Sequence, residues 1–304
     1  MARDLCRSRC RAERQRLGKQ QWCCPLTNLD WQCTIRFMGM YRWRGGGRFW
    51  EPPVPLSVLQ LVKYGTLDLR LAGLLWLIME CRASVLVAAG PSSAGKTTTL
   101  NVLLDFLPPS VKQVHIRGYG EDFRFLETAK PDETYLVAEE FSDYGDYVWG
   151  EVAQRAFDLL SQGYSLGGTI HARNAEEVLY VLNEYLGLSA SVLGNVGMIV
   201  TIRAWRGRTE PVRQIDGVTL IMPAKDAVSL HTIASREMGS DAFVFDDEKA
   251  LQRSLSGKFH LVDINITAEV EKRQQFLGQL LRDGRVFRDQ VREAVVDFYN
   301  GGRS

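Results

Sequence analysis

The stretch VLVAAGPSSAGKTTTL, Val85 to Leu100, decides the fold. Its first part is apolar and short enough for a buried strand, and TTTLNVLLDFL after it reads as a helix. Between them GPSSAGKT fits the spacing G-x-x-x-x-G-K-[ST]. Glycines in such a loop let backbone N–H groups turn toward phosphates, and Lys96 brings a mobile positive charge to the β and γ positions. Thr97 offers a hydroxyl to magnesium. The candidate phosphate-binding set is therefore Gly90, Pro91, Ser92, Ser93, Ala94, Gly95, Lys96, Thr97 and Thr98.

Working outward, 304 residues with 45% hydrophobic side chains suffice for one large core and exclude a disordered chain. The net charge of +1 hides an asymmetry: residues 1–50 carry 11 of the 37 Lys and Arg and 3 of the 36 acids. Cys6, Cys10, Cys23, Cys24 and Cys33 share that segment, in a spacing that fits no zinc pattern, and Cys81 stands apart. We read residues 1–55 as a basic leader, a remnant of an N-terminal domain and a linker, with GGG at Gly45–Gly47 and EPPVP at Glu51–Pro55 as the joint. Residues 56–304 are then the main domain. The apolar run LAGLLWLIM is about half the length a bilayer requires and reads as a buried helix. MARDLCRSRCRAERQRLGKQQW has charges without an apolar centre, so no cleavable signal is expected and the chain is expected in the cytoplasm.

Along the domain, periodicity and breakers predict helices near 56–63 and 68–81, a strand at VKQVHI, a buried strand at TYLVAEE, a helix over about 151–161 and a strand at SLGGTIHA. A further helix begins after Asn174, which with Glu177 has the spacing of an N-terminal cap. Strands alternating with helices imply a mostly parallel sheet flanked by helices, while residues 196–235 read as strands linked by hairpins.

TYLVAEE delivers two carboxylates, Glu139 and Glu140, to the end of a buried strand, where a carboxylate orients water or holds magnesium. Strict alternation sends adjacent side chains to opposite faces, so one of the pair is expected at the site. His171 ends the next apolar strand, placed either to sense the γ phosphate or to cap the sheet edge.

GPSSAGKTTTLNVLLDFLPP, YLVAEE and GGTIHARNAEEVL, in that order, resemble the Walker A, Walker B and histidine boxes of the type II/type IV secretion ATPase family. The helical lead-in PLSVLQLVKYGTLDLRLAGLLWLIMECRASVLVAAG and the tail EVEKRQQFLGQLLRDGRVFRDQVREAVVDFY resemble its archaeal and tight-adherence branch. The resemblance implies an α/β fold with a RecA-like P-loop NTPase core, a C-terminal helical pair, ATP and Mg2+ as cofactors, and a ring, expected to be hexameric. It also implies a membrane-embedded platform protein as partner, at the inner face of the cytoplasmic membrane, and a role in assembling pilus-like filaments or in secretion. TIRF at Thr34–Phe37 resembles the end of the family's N-terminal domain, which makes Arg36 a phosphate-neighbouring candidate. Family alignment of LVAE makes Glu139 the catalytic acid, the assignment favoured because it needs no exception to the resemblance; a general Walker B alignment of YLVAEE instead gives Glu139 to the metal and Glu140 to the water. Only HIRGYGEDFRFLETAKPDE joins the second strand to the third, so Glu121 with Asp122 stands in for the family's aspartate box, and Arg117 and Arg124 are the arginines left there. That shortening, with the small N-terminal part, keeps a second reading open: a truncated paralogue that binds nucleotide as a structural or regulatory subunit. A nucleic-acid motor gripping a strand with Trp22, Trp31, Trp43 and Trp50 is disfavoured, because the globular part is net acidic and no specific nucleic acid is expected.

Overall fold

The computed structural model describes residues 55–207, 211–237, 242–261 and 263–301, which belong to one compact unit, Glu51–Ser304. Arg36, the tryptophans at 22, 31, 43 and 50, and the five N-terminal cysteines lie outside the described residues.

A short helix, α1 (Val58–Lys63), begins at a capping box in which Ser57 and Gln60 each take the other's backbone N–H. Helix α2 (Leu69–Glu80) follows, with Asp68 as its cap, and then β1 (Val85–Ala88) leads through the glycine-rich loop into α3 (Lys96–Leu104). The next strands are β2 (Lys112–Ile116), β3 (Thr134–Phe141) and β4 (Ser165–Ile170), with α4 (Gly150–Asp158) between the last two. Helices α5 (Ala175–Tyr180) and α6 (Ala190–Leu193) lead to β5 (Met198–Arg206). Asn174 caps α5 by accepting the Glu177 N–H, as its spacing predicted. Two antiparallel strands, β6 (Pro211–Pro223) and β7 (Val228–Arg236), continue the chain. The last elements are β8 (Phe243–Phe245), α7 (Glu248–Phe259), α8 (Ile266–Arg282) and α9 (Arg288–Gly301).

All eight strands form one sheet in the order β2-β3-β4-β1-β5-β6-β7-β8. The pairs from β2 to β5 are parallel and those from β5 to β8 antiparallel. Every residue of β1 and of β4 is buried, as strands covered by helices on both faces require. The hairpins expected over 196–235 are present, while β8 and α7 carried too weak a pattern to be foreseen.

On one face, α2 and α3 pack with the C-terminal pair around Trp76. Its indole stacks on Phe106 at 5.3 Å and is hemmed in by Phe276, Phe298 and Tyr299. The Trp76 N–H donates to the Tyr299 hydroxyl at 3.0 Å, which donates to the Phe106 carbonyl at 2.7 Å. Truncating such a ring costs about 3–5 kcal/mol, so this knot fastens α9 to the sheet. Arg288 on α9 adds a bidentate pair with Asp105 at 2.6 and 2.8 Å. Because α2 is buried along Leu71–Met79, its apolar run belongs to the core; no helix of the described residues is long and apolar enough to cross a membrane. On the other face α4, α5 and α6 cover Leu86, Leu136, Phe141, Ile170 and Ile199.

Candidate functional site

The loop after β1 holds two residues at positive φ, Ser93 at +59° and Gly95 at +93°. Gly95 is also the N-cap of α3 and, lacking a side chain, leaves the first-turn N–H groups unclaimed by any capping group. A helix start of this kind, with its positive dipole end and inward-turned amides, favours anions. Pro91, Ser92 and Ser93 are exposed, Ala94 is buried, and Thr97 and Thr98 are half-buried, so the loop opens to solvent on one side and packs on the other.

Lys96, the first residue of α3, is only 6% exposed. Its ammonium lies 3.1 Å from His171 Nε2 and 3.9 Å from Glu140 Oε2. Burial pulls the Lys96 pKa below the usual lysine range, against the opposing pull of Glu140. His171 Nε2 is 3.0 Å from Glu140 Oε1, and its Nδ1 is 3.4 Å from the Gly90 carbonyl. The tautomer sets the bonds: a proton on Nε2 is donated to Glu140, whereas a proton on Nδ1 points to the Gly90 carbonyl and leaves the Nε2 lone pair to accept from Lys96. Lys96, Glu140 and His171 thus converge from α3 and from the ends of β3 and β4.

A bulge brings Glu140 there. Ala138 pairs with Gly168 and Phe141 with Ile170, so β3 spends one residue more than β4 between them. Ala138 and Phe141, which regular alternation would put on opposite faces, therefore both cover Gly168. Val137 and Tyr135 lie on the other face, with α3. Alternation counted from Val137 would turn Glu139 toward that face and Glu140 away, and the extra residue re-phases the strand so that Glu140 reaches Lys96. The Glu139 carbonyl accepts the Thr169 hydroxyl at 2.7 Å, and the Glu140 carbonyl accepts the Val148 N–H at 3.1 Å, fixing the distortion from both sides. Glu139 itself is exposed.

Glu121, expected beside the nucleotide, accepts with its carboxylate the N–H groups of Arg117 at 2.9 Å and Phe123 at 2.8 Å. It organises its own loop, in which Phe123 adopts positive φ, and is absent from the contacts of Lys96. Arg124 pairs with Asp122 at 3.0 Å on the surface. Pattern reading missed Arg213 of β6, whose Nε–H donates to the Ser93 carbonyl at 3.0 Å. No motif marks it, since 120 residues separate the partners and only the sheet order brings them together.

Among the described residues no cluster of three or more His, Cys, Asp or Glu forms a metal site. The Glu140 carboxylate beside Lys96, and the hydroxyl of Thr97 next in the chain, are oxygen donors of the hard kind that suits magnesium shared with phosphate and water.

No family model matches the chain. It is similar to two uncharacterized proteins of Methanocaldococcus jannaschii. One is 28% identical over 259 residues, covering 77% of this chain and 94% of the relative. The other is 25% identical over 275 residues, covering 82% of this chain and 50% of the relative, so the chain spans half of that protein's length. Among solved structures, the VirB11 ATPase of the Brucella suis type IV secretion system, crystallised with sulphate, aligns over 66% of this chain and 65% of its own, at 17% identity and a TM-score of 0.37. The ATPase DotB of Legionella pneumophila aligns over 73% of this chain and 63% of its own, at 12% identity and a TM-score of 0.31. The chain therefore spans less than two thirds of either solved protein.

Proposed function

We propose that the chain binds ATP with magnesium and hydrolyses it as the motor subunit of a ring, expected to be hexameric, that drives pilus-like filament assembly or protein secretion. The observation that carries the nucleotide reading is the meeting of Lys96, Glu140 and His171 at the start of a helix entered through a glycine-rich loop. Gly90 to Thr98 would cradle the phosphates, Thr97 and a strand-end carboxylate would hold magnesium, which supplies charge neutralisation at the β and γ oxygens, and Lys96 would bind those same oxygens. Glu140 would orient the attacking water, with Glu139 beside it, and His171 would report the γ phosphate to β4. The filament or secretion role is supported by the order of the three sequence boxes and the flanking helical stretches they resemble. In that role the ring works in the cytoplasm against a membrane-embedded platform protein, with residues 56–304 as the motor domain.

The test is ATP turnover per chain measured against protein concentration, alongside native mass. A ring motor gains specific activity as it assembles, and Lys96→Ala abolishes nucleotide binding while melting within a few degrees of the parent. Unchanged affinity in Lys96→Ala refutes the reading. Binding without turnover at any concentration or assembly state transfers the case to a nucleotide-binding structural subunit.

A further inference from the structure

Strand β5 runs beside β1 only from Met198 to Thr201 and then continues to Arg206, paired with Pro211–Ile215 of β6. The two make a ribbon that projects past the end of β1, next to the phosphate-binding loop. At its base it is fixed: Arg236 donates to the carbonyls of Ile215 at 3.1 Å and Thr66 at 3.0 Å. Arg213 sits opposite Ala204, on the face that carries Ile202 and Ile215 into the α3 side of the core. It reaches the loop at two points. Its Nε–H donates to the Ser93 carbonyl at 3.0 Å, and its Cδ lies 3.2 Å from where a Cβ on Gly95 would project. Among the described residues no carboxylate pairs with it. Arg203, one residue along from Ala204, is by contrast ion-paired with Asp216.

A guanidinium has five N–H donors in a planar fork suited to phosphate, and a single one of these is spent on a neutral carbonyl. Bonds from a cation to phosphate oxygens are about twice as strong as neutral ones. An uncompensated arginine held against a loop shaped for anions is placed for the anion, with its Nε bond as the alignment. We propose that Arg213 is a phosphate-binding residue of the nucleotide site: its fork engages the terminal phosphates of a nucleoside triphosphate, which ties the β5–β6 ribbon to the occupancy of the loop. The proposal rests on the nucleotide reading above and adds a residue from two strands away.

The test is equilibrium titration of the full chain with fluorescent ATP and ADP analogues, for the parent, Arg213→Ala, Arg213→Lys and Arg203→Ala. Arg213→Ala is expected to weaken the ATP analogue about tenfold, the value of one charge-assisted contact, with a smaller loss for ADP. Arg213→Lys should recover part of the loss because lysine restores charge without the fork, and Arg203→Ala should bind as the parent does. ATP affinity in Arg213→Ala within about twofold of the parent, or an equal loss for ATP and ADP, overturns the proposal and leaves the arginine a strut for the loop. Failure of the parent to bind either analogue overturns the functional reading itself and this inference with it.

Discussion

Replacing Glu140 with Gln keeps the shape of the side chain and removes its charge, which isolates what the carboxylate does for Lys96 and for water. Both partners are shielded, with side-chain exposures of 7% and 15% at a separation of 3.9 Å. At an effective dielectric near 20 their gross attraction is about 4 kcal/mol, part of it offset because the variant no longer buries a carboxylate while Lys96 stays buried, so the stability loss should be about 2–3 kcal/mol. Lys96 then faces burial without its opposing carboxylate, and its pKa falls further below the usual lysine range. Nucleotide affinity of Glu140→Gln should accordingly match the parent near neutral pH and weaken at a lower alkaline pH than the parent's does. Turnover should drop about 10²–10⁴-fold, as expected when a positioned base is removed. Glu139→Gln, measured in the same steady-state phosphate-release assay at a concentration where the parent turns over, should stay within about threefold of it. Loss of turnover in Glu139→Gln with activity kept in Glu140→Gln would refute the argument from the bulge and restore the assignment favoured by sequence alignment.

Two further outcomes concern the scaffold. Gly168→Ala places a Cβ into the Phe141 ring and 3.3 Å from the Ala138 Cβ, and Phe141, packed on Phe157 at 5.0 Å, has no room to swing away. A loss of about 1–3 kcal/mol in denaturant unfolding is expected, together with reduced turnover because the bulge that aims Glu140 must shift; a neutral result in both assays would show that the ring is not the wedge. Lys258 donates to the carbonyls of Gly194 at 2.7 Å and Ile221 at 2.5 Å, and burial pushes its pKa down to about 8. The native protein sheds this proton at a pH where the unfolded chain, with an ordinary lysine, still holds it, so stability should rise with pH from about 8 to 10, by on the order of 1–2 kcal/mol. The urea midpoint of the parent relative to that of Lys258→Met should climb across that range, the difference cancelling the other groups that titrate there, such as Cys81.

The parts of the fold that could be read from the sequence are those whose causes are local. The strand, loop and helix around Lys96 are spelled out within sixteen residues, the Asn174 cap within four, and the hairpins of β5 to β7 by alternation along each strand. The features that escaped depend on distant partners. Whether Glu139 or Glu140 meets Lys96 turns on Phe141 lodging over a glycine of the neighbouring strand. Glu121 lies in a loop rich in charge, and nothing in its neighbourhood announces that backbone amides will occupy both its oxygens. Strand β8, three residues long, is defined by pairing with β7 and by the His231–Asp246 contact at 2.7 Å.

The aromatic knot at Trp76 has a consequence for the chain as it is made. Its indole hydrogen bond spans 223 residues, so Tyr299 leaves the ribosome long after Trp76 does. At about 5–20 residues per second the interval is roughly 10 to 45 s, far longer than the microseconds to milliseconds in which helices form and chains collapse. Through that interval the apolar side of α2 has sheet and loop to rest against but not the rings of Phe298 and Tyr299 that complete its cover. The nascent protein thus presents a sticky helix for tens of seconds, and ribosome-associated chaperones have that long to find it before the last helix seals the core.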